Sequence, residues 1–200
     1  VYGSNAAAQA AIRTGQAGKI KVGSDGRLLI DPVTGLEITG MTDNGWVGMS
    51  LMHGLFALEH NAVCDRFKQR NPGWTDERLF QQSRLVVSAL IAKIHTVEWS
   101  TSILPRPLVS TGLRANWRGL LRDAQNVLPG IQDNDILAGI PGSATDHHTA
   151  PYSLTEEFVS VYRMPPLMPD DFVLRSLSSG AELGHYQLPD MQGTRGRQIV

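Results

Sequence analysis

GWVGMSLMHGLFALEHNAVCDRFKQRNPGWTDERLF, residues Gly45 to Phe80, is the stretch on which the fold class turns. Val47, Leu51, Leu55 and Leu58 recur at the spacing of one helical face, so a long helix is expected here, largely buried. Asn71-Pro72-Gly73 then stops the run, because proline lacks an amide donor and glycine releases the backbone. Thr75 follows as an N-cap, with Asp76 and Glu77 in the first turn, where carboxylates oppose the positive end of the helix dipole. Leu79, Leu85, Val86, Leu90 and Ile94 carry this second helix to about Trp99. Two helices joined by so short a connection pack antiparallel.

On the N-terminal side, GKIKVGSDGRLLIDPVTGLEI alternates apolar and polar residues around two turn signals. It predicts two or three short strands, a small β-hairpin region within residues 1–40. On the C-terminal side LRANWRGLLRDAQ predicts a third helical stretch, followed by a loop rich in Gly, Pro, Asp and Ser. Ser153 and Glu156 form a capping box that opens a further helix reaching about Arg163. The expectation is therefore a mostly α protein: loop and short strands over 1–40, a helical core over 45–172, and weak signals over 173–200. All 200 residues read as one portion of a single domain.

Composition narrows the function classes. With 42% hydrophobic and 18% charged residues the chain is globular rather than disordered. Its 18 Lys and Arg nearly cancel 19 Asp and Glu, so no field of one sign recruits nucleic acid or an anionic membrane. One cysteine, Cys64, excludes an internal disulfide and leaves the compartment open. No apolar run approaches the roughly 20 residues of a membrane span, and no signal-peptide pattern is present. The chain opens on Val1 rather than methionine and closes on GTRGRQIV without a terminating pattern, which reads as a fragment.

The histidines are His53, His60, His95, His147, His148 and His185, and no pair has the spacing of a zinc protease. Neither a P-loop nor a G-x-S-x-G nor a G-x-G-x-x-G is present. Glu59-His60-Asn61 places three polar residues in a row inside an apolar helix, where they need partners; the expected reading is a hydrogen-bonded knot joining helices, with Cys64 as a core residue one turn on. His95 and Trp99 lie four apart, on one face. Taken alone, these are ordinary features of a helical core.

Four segments in order add a resemblance: VYGSN, LFALEHNAVCDRF, IHTVEWS, and PYSLTEEFVSVYRM with PLMPDDF. Together they resemble the haem-dependent animal-type peroxidase and cyclooxygenase superfamily, and within it the fatty-acid α-dioxygenases. The resemblance implies a haem-peroxidase-like helical core and a chain that is a middle portion of a larger enzyme. It also implies haem as cofactor, with the distal histidine and a calcium-binding loop on segments that lie before VYGSN. Fatty acid with dioxygen or a hydroperoxide would be the substrates, and the remainder of the enzyme a partner.

Carried over residue by residue, the resemblance makes Tyr162 the tyrosine oxidised to a radical that takes a hydrogen from the fatty acid. It places His95 near the substrate head group, and Ser100 where a threonine is common. One position departs from the pattern. Three residues after the tyrosine the family carries the proximal haem histidine, and this chain carries Pro165. Proline offers iron no lone pair. Met164 points about 100° around the helix from that position and does not substitute for it. Within a helix, proline also costs about 3 kcal/mol, so the helix should end early. The resemblance thus implies a fatty-acid dioxygenase impaired at its haem ligand, with two alternatives: a general peroxidase, or a haem-free domain binding lipid or a partner.

Overall fold

The computed structural model describes residues 1–3, 5–39, 47–118 and 169–191. The chain divides into two compact units, one of Val1–Val87 with Arg163–Val200 and one of Ser88–Tyr162. The described residues are mostly helical, as the periodicity predicts.

In the first unit, helix α1 (Ala6–Ile12) starts at Asn5, whose side chain accepts the Ala8 amide at 2.9 Å. Helix α2 (Val47–Arg70) is the long helix of the opening stretch, and helix α3 (Asp76–Lys93) begins after Thr75, whose Oγ1 accepts the Arg78 amide at 3.2 Å. The face of α2 that is buried is not the leucine stripe. Leu51, Leu55 and Leu58 are exposed, while Phe56, His60, Val63 and Cys64 are buried. Both sets have helical spacing, and the choice between them depends on what the rest of the unit supplies. Here it supplies Ile12, Ile20, Leu28 and Phe80, which gather around Ala57 with Tyr2, Val22 and Ile38 at the margin. On α3 the predicted Leu79 is buried, together with Phe80, Ser83 and Val87, whereas the predicted Leu85 and Val86 are exposed.

The expected N-terminal strands are replaced by two hairpin-like turns, each with a single bridge, Arg13 to Ile20 and Ile30 to Glu37. The DPVTG turn does form, the Asp31 amide donating to the Leu36 carbonyl at 2.8 Å. Its arms are too short to extend a ladder. The one two-stranded sheet among the described residues lies later, where the sequence signals are weak: β1 (Asp171–Arg175) pairs antiparallel with β2 (Glu182–Gln187), Phe172 opposite Tyr186. A one-turn 3-10 segment, Leu188–Met191, follows.

In the second unit, the helix after Lys93 changes pitch. Ile94–Trp99 forms a π-helical turn, followed by helix α4 (Ser100–Ile103) and helix α5 (Pro107–Arg118). Helix α5 starts six residues before the predicted third stretch, with Pro107 at its first position, where a missing amide donor costs nothing. The loop with His147 and His148, the capping-box helix, Tyr162 and Pro165 lie outside the described residues.

Candidate functional site

Two histidines on consecutive helical stretches sit in opposite surroundings. His60 is fully buried and saturated: its Nδ1 meets the Tyr2 hydroxyl at 2.9 Å and its Nε2 meets the Gly18 carbonyl at 2.9 Å. Asn61 beside it pairs with the backbone of Ile20 in both directions, at 2.8 and 2.9 Å. Cys64 Sγ, one turn on, lies 3.1 Å from the Ser83 hydroxyl and 3.3 Å from the Gly18 carbonyl. The polar knot expected from the sequence is therefore real, but it ties helix α2 to the 18–20 loop and Tyr2 rather than only to another helix. Glu59 takes no part in these bonds.

Gly18 is the residue that lets the loop come so close. Its φ is +73°, and an added Cβ would stand 2.5 Å from the Phe80 amide nitrogen and 2.7 Å from the Leu79 side chain. Its amide donates to Asp76 at 2.6 Å. Arg13 grips Asp76 at 2.7 Å and also Glu77, while its guanidinium lies 4.2 Å from the Phe80 ring centre. The two carboxylates read from the sequence as dipole partners thus serve equally as an arginine clamp.

Burial sets the electrostatics of this knot. It holds His60 below the ordinary imidazole range, with Arg13 adding to the effect against the opposing Gly18 carbonyl. It pushes the Cys64 thiol up, so this cysteine is a poor nucleophile. Tyr2 is also raised, chiefly by burial and then by Cys64.

His95 is exposed. It stacks on Trp99 with ring centres 5.3 Å apart and planes 24° from parallel. Ser100 is brought directly to it: the serine backbone N–H and its hydroxyl both donate to the His95 carbonyl, the hydroxyl at 2.6 Å. Lys93 and Glu98 bracket the same turn with an ion pair of 2.6 Å. Of the sequence-derived site residues, then, His95 and Ser100 are joined. The residues that sequence reasoning missed are Tyr2 as the partner of His60, Gly18, the Arg13 clamp and the Lys93–Glu98 pair. Gly18 left a trace as part of the turn-rich run, and Tyr2 and Glu98 stand inside the VYGSN and IHTVEWS segments without their pairing being readable there.

The donor set decides whether an axially ligated haem fits. Haem iron needs an axial atom with a free lone pair. His60 has both nitrogens engaged, and His185 Nε2 is bound to Asp171. Among the described residues no group of three or more His, Cys, Asp and Glu side chains is placed to hold a metal ion. The position that the resemblance marks for the ligand carries Pro165, which has none to give. Position 165 therefore does not fit an axially ligated haem, and His60 has no free nitrogen to replace it.

Among the described residues no helix is long and apolar enough to cross a membrane. The chain is 44% identical over 180 residues to alpha-dioxygenase PIOX of Pisum sativum, covering 90% of this chain and 28% of that protein. It therefore spans less than a third of the length of that relative. Among solved structures it is similar to an Oryza sativa fatty acid alpha-dioxygenase variant with palmitic acid, at a TM-score of 0.87 and 38% identity, covering 99% of this chain and 34% of the other. The fatty acid alpha-dioxygenase of Arabidopsis thaliana gives a TM-score of 0.85 at 37% identity, covering 99% and 32%. Residues 1–197 match the animal haem peroxidase family, and a match over nearly the whole chain, on a helical core of this kind, means that the chain belongs to that family.

Proposed function

We propose that this chain is part of a fatty-acid α-dioxygenase, an oxidoreductase that adds dioxygen at the α-carbon of a long-chain fatty acid to give a 2-hydroperoxy acid. The observation that carries the reading is the similarity to an alpha-dioxygenase along 90% of the chain. In this reading His95 meets the carboxylate of the fatty acid. Its exposed ring, backed by Trp99, is suited to a charge-assisted hydrogen bond. Tyr162 is the phenol that would take the α-hydrogen.

Pro165 favours a second reading, in which this chain binds a fatty acid without oxygenating it. With no ligand at position 165, the oxidation that would arm Tyr162 has no route. The chain as written is therefore impaired as an oxygenase.

A haemin titration of the full chain beside Pro165→His tests the proposal. The expected result is a sharp, saturable Soret band in the histidine variant alone. Stoichiometric haemin binding with the same band in both chains would overturn the assignment of position 165 as the ligand slot.

A further inference from the structure

Five residues is the wrong spacing for an ion pair on an α-helix. At 100° per residue, side chains at i and i+5 point roughly 140° apart. Lys93 and Glu98 are nevertheless joined, Nζ to Oε1 at 2.6 Å. The segment between them is the π-helical turn Ile94–Trp99, whose backbone repeats at i→i+5 and so brings these two positions over one another.

Ser100 follows the same period. Serine and threonine hydroxyls in α-helices reach back three or four residues to a carbonyl. Thr101 does so, to Val97 at 2.9 Å, and Ser102 does so, to Glu98 at 2.7 Å. Ser100 reaches back five, to His95 at 2.6 Å, alongside its own backbone N–H. Both contacts are therefore selective: they exist in the π register and are lost in the α register. A π turn holds one more residue than the α turn it replaces, so converting it would rotate everything on one side by about 100°. The imidazole of His95 and the indole of Trp99 lie within that segment.

We infer that Lys93, Glu98 and Ser100 are positioning residues that select the π register and thereby fix the direction in which His95 is presented. This deepens the proposed function and rests on its reading of His95 as the contact for an anionic head group. Ser100 acts on the turn through its hydroxyl, which donates to the His95 carbonyl. The Lys93–Glu98 pair is half-exposed, so its removal leaves the fold intact while releasing the turn.

The test is the NMR spectrum of the isotope-labelled full chain. The π register is read from the through-space contact between the His95 Hα and the Ser100 amide hydrogen, five residues apart, which an α-helical turn leaves out of range. Lys93→Met, Glu98→Gln and Ser100→Ala are each expected to lose most of that contact at an unchanged melting temperature. The charge reversal Lys93→Glu with Glu98→Lys should restore it, and Ser100→Thr should keep it. An undiminished contact in all three single variants would overturn the inference. A palmitate titration of the same samples separates this from the parent reading. Weaker palmitate binding wherever the contact is lost supports both, whereas no palmitate binding by the unsubstituted chain sinks the head-group role and leaves the register result standing.

Discussion

His60 and His95 carry the same ring on helical stretches either side of α3, and their surroundings are opposite. His60 has both nitrogens bonded, sits among Tyr2, Gly18 and Phe80, and is closed to any ligand. His95 stands exposed on an indole, in a turn held from outside by side chains five apart. The difference teaches that a histidine inside a matching motif can be withdrawn from any ligand by burial and saturation of both nitrogens, as His60 is. Motif membership alone does not separate the two.

The sharpest way to break this comparison is at Gly18. Gly18→Ala would force a Cβ onto the Phe80 backbone at positive φ, and about 3 kcal/mol or more of stability should be lost in denaturant unfolding. A loss below about 1 kcal/mol would mean that the loop moves freely and the knot is not rigid. Next is the direct contrast. His60→Ala abandons Tyr2 and the Gly18 carbonyl and should cost about 2 to 4 kcal/mol, whereas His95→Ala at the surface should fall within about 0.5 kcal/mol. Equal costs would erase the distinction.

Proton linkage sharpens the comparison further. Because burial lowers the folded-state pKa of His60, the unfolded chain takes up its proton first as pH falls. Stability is therefore full above the ordinary imidazole range and declines as pH drops through it, by at most about 1.4 kcal/mol per pH unit for this one group. His53 is also held down by burial, so the decisive quantity is the part of the slope that disappears in His60→Gln. An unchanged slope in that variant would contradict the buried, neutral state of His60. The smallest effect concerns Cys64, which is fully buried with a raised thiol pKa. A thiol reagent should label it at the rate of unfolding rather than at the rate of a free thiol, and fast labelling under native conditions would argue against the packing described.

Much of this was legible in the sequence, for reasons tied to particular residues. The Asn71-Pro72-Gly73 stop and the Thr75 cap are local signals, and both boundaries fall beside them. The polar run around His60 announced a buried network because such groups require partners. Which stripe of α2 is buried was not legible. Leu51, Leu55 and Leu58 obey the helical period as well as Phe56, Val63 and Cys64 do, and the selection is made by residues outside the helix, from Ile12 to Phe80. The hairpin at 171–187 was missed because its strands are short and do not alternate, Phe172-Val173-Leu174 being a continuous apolar run, with Gly180 at positive φ making the turn. The π turn was unreadable for a different reason. Lys93 and Glu98 look unrelated at α-helical spacing, and their pairing becomes meaningful only once the pitch changes.

The measurement that tests the account most directly is a palmitate titration of the full chain beside His95→Gln and Leu85→Gln, the last an exposed surface control. The account predicts that palmitate binds, that His95→Gln weakens binding by about 10-fold or more through loss of a charge-assisted hydrogen bond, and that the control does not. Equal affinity in His95→Gln and the unsubstituted chain would contradict the assignment of His95 to the fatty-acid head group, and with it the functional reading built on that turn.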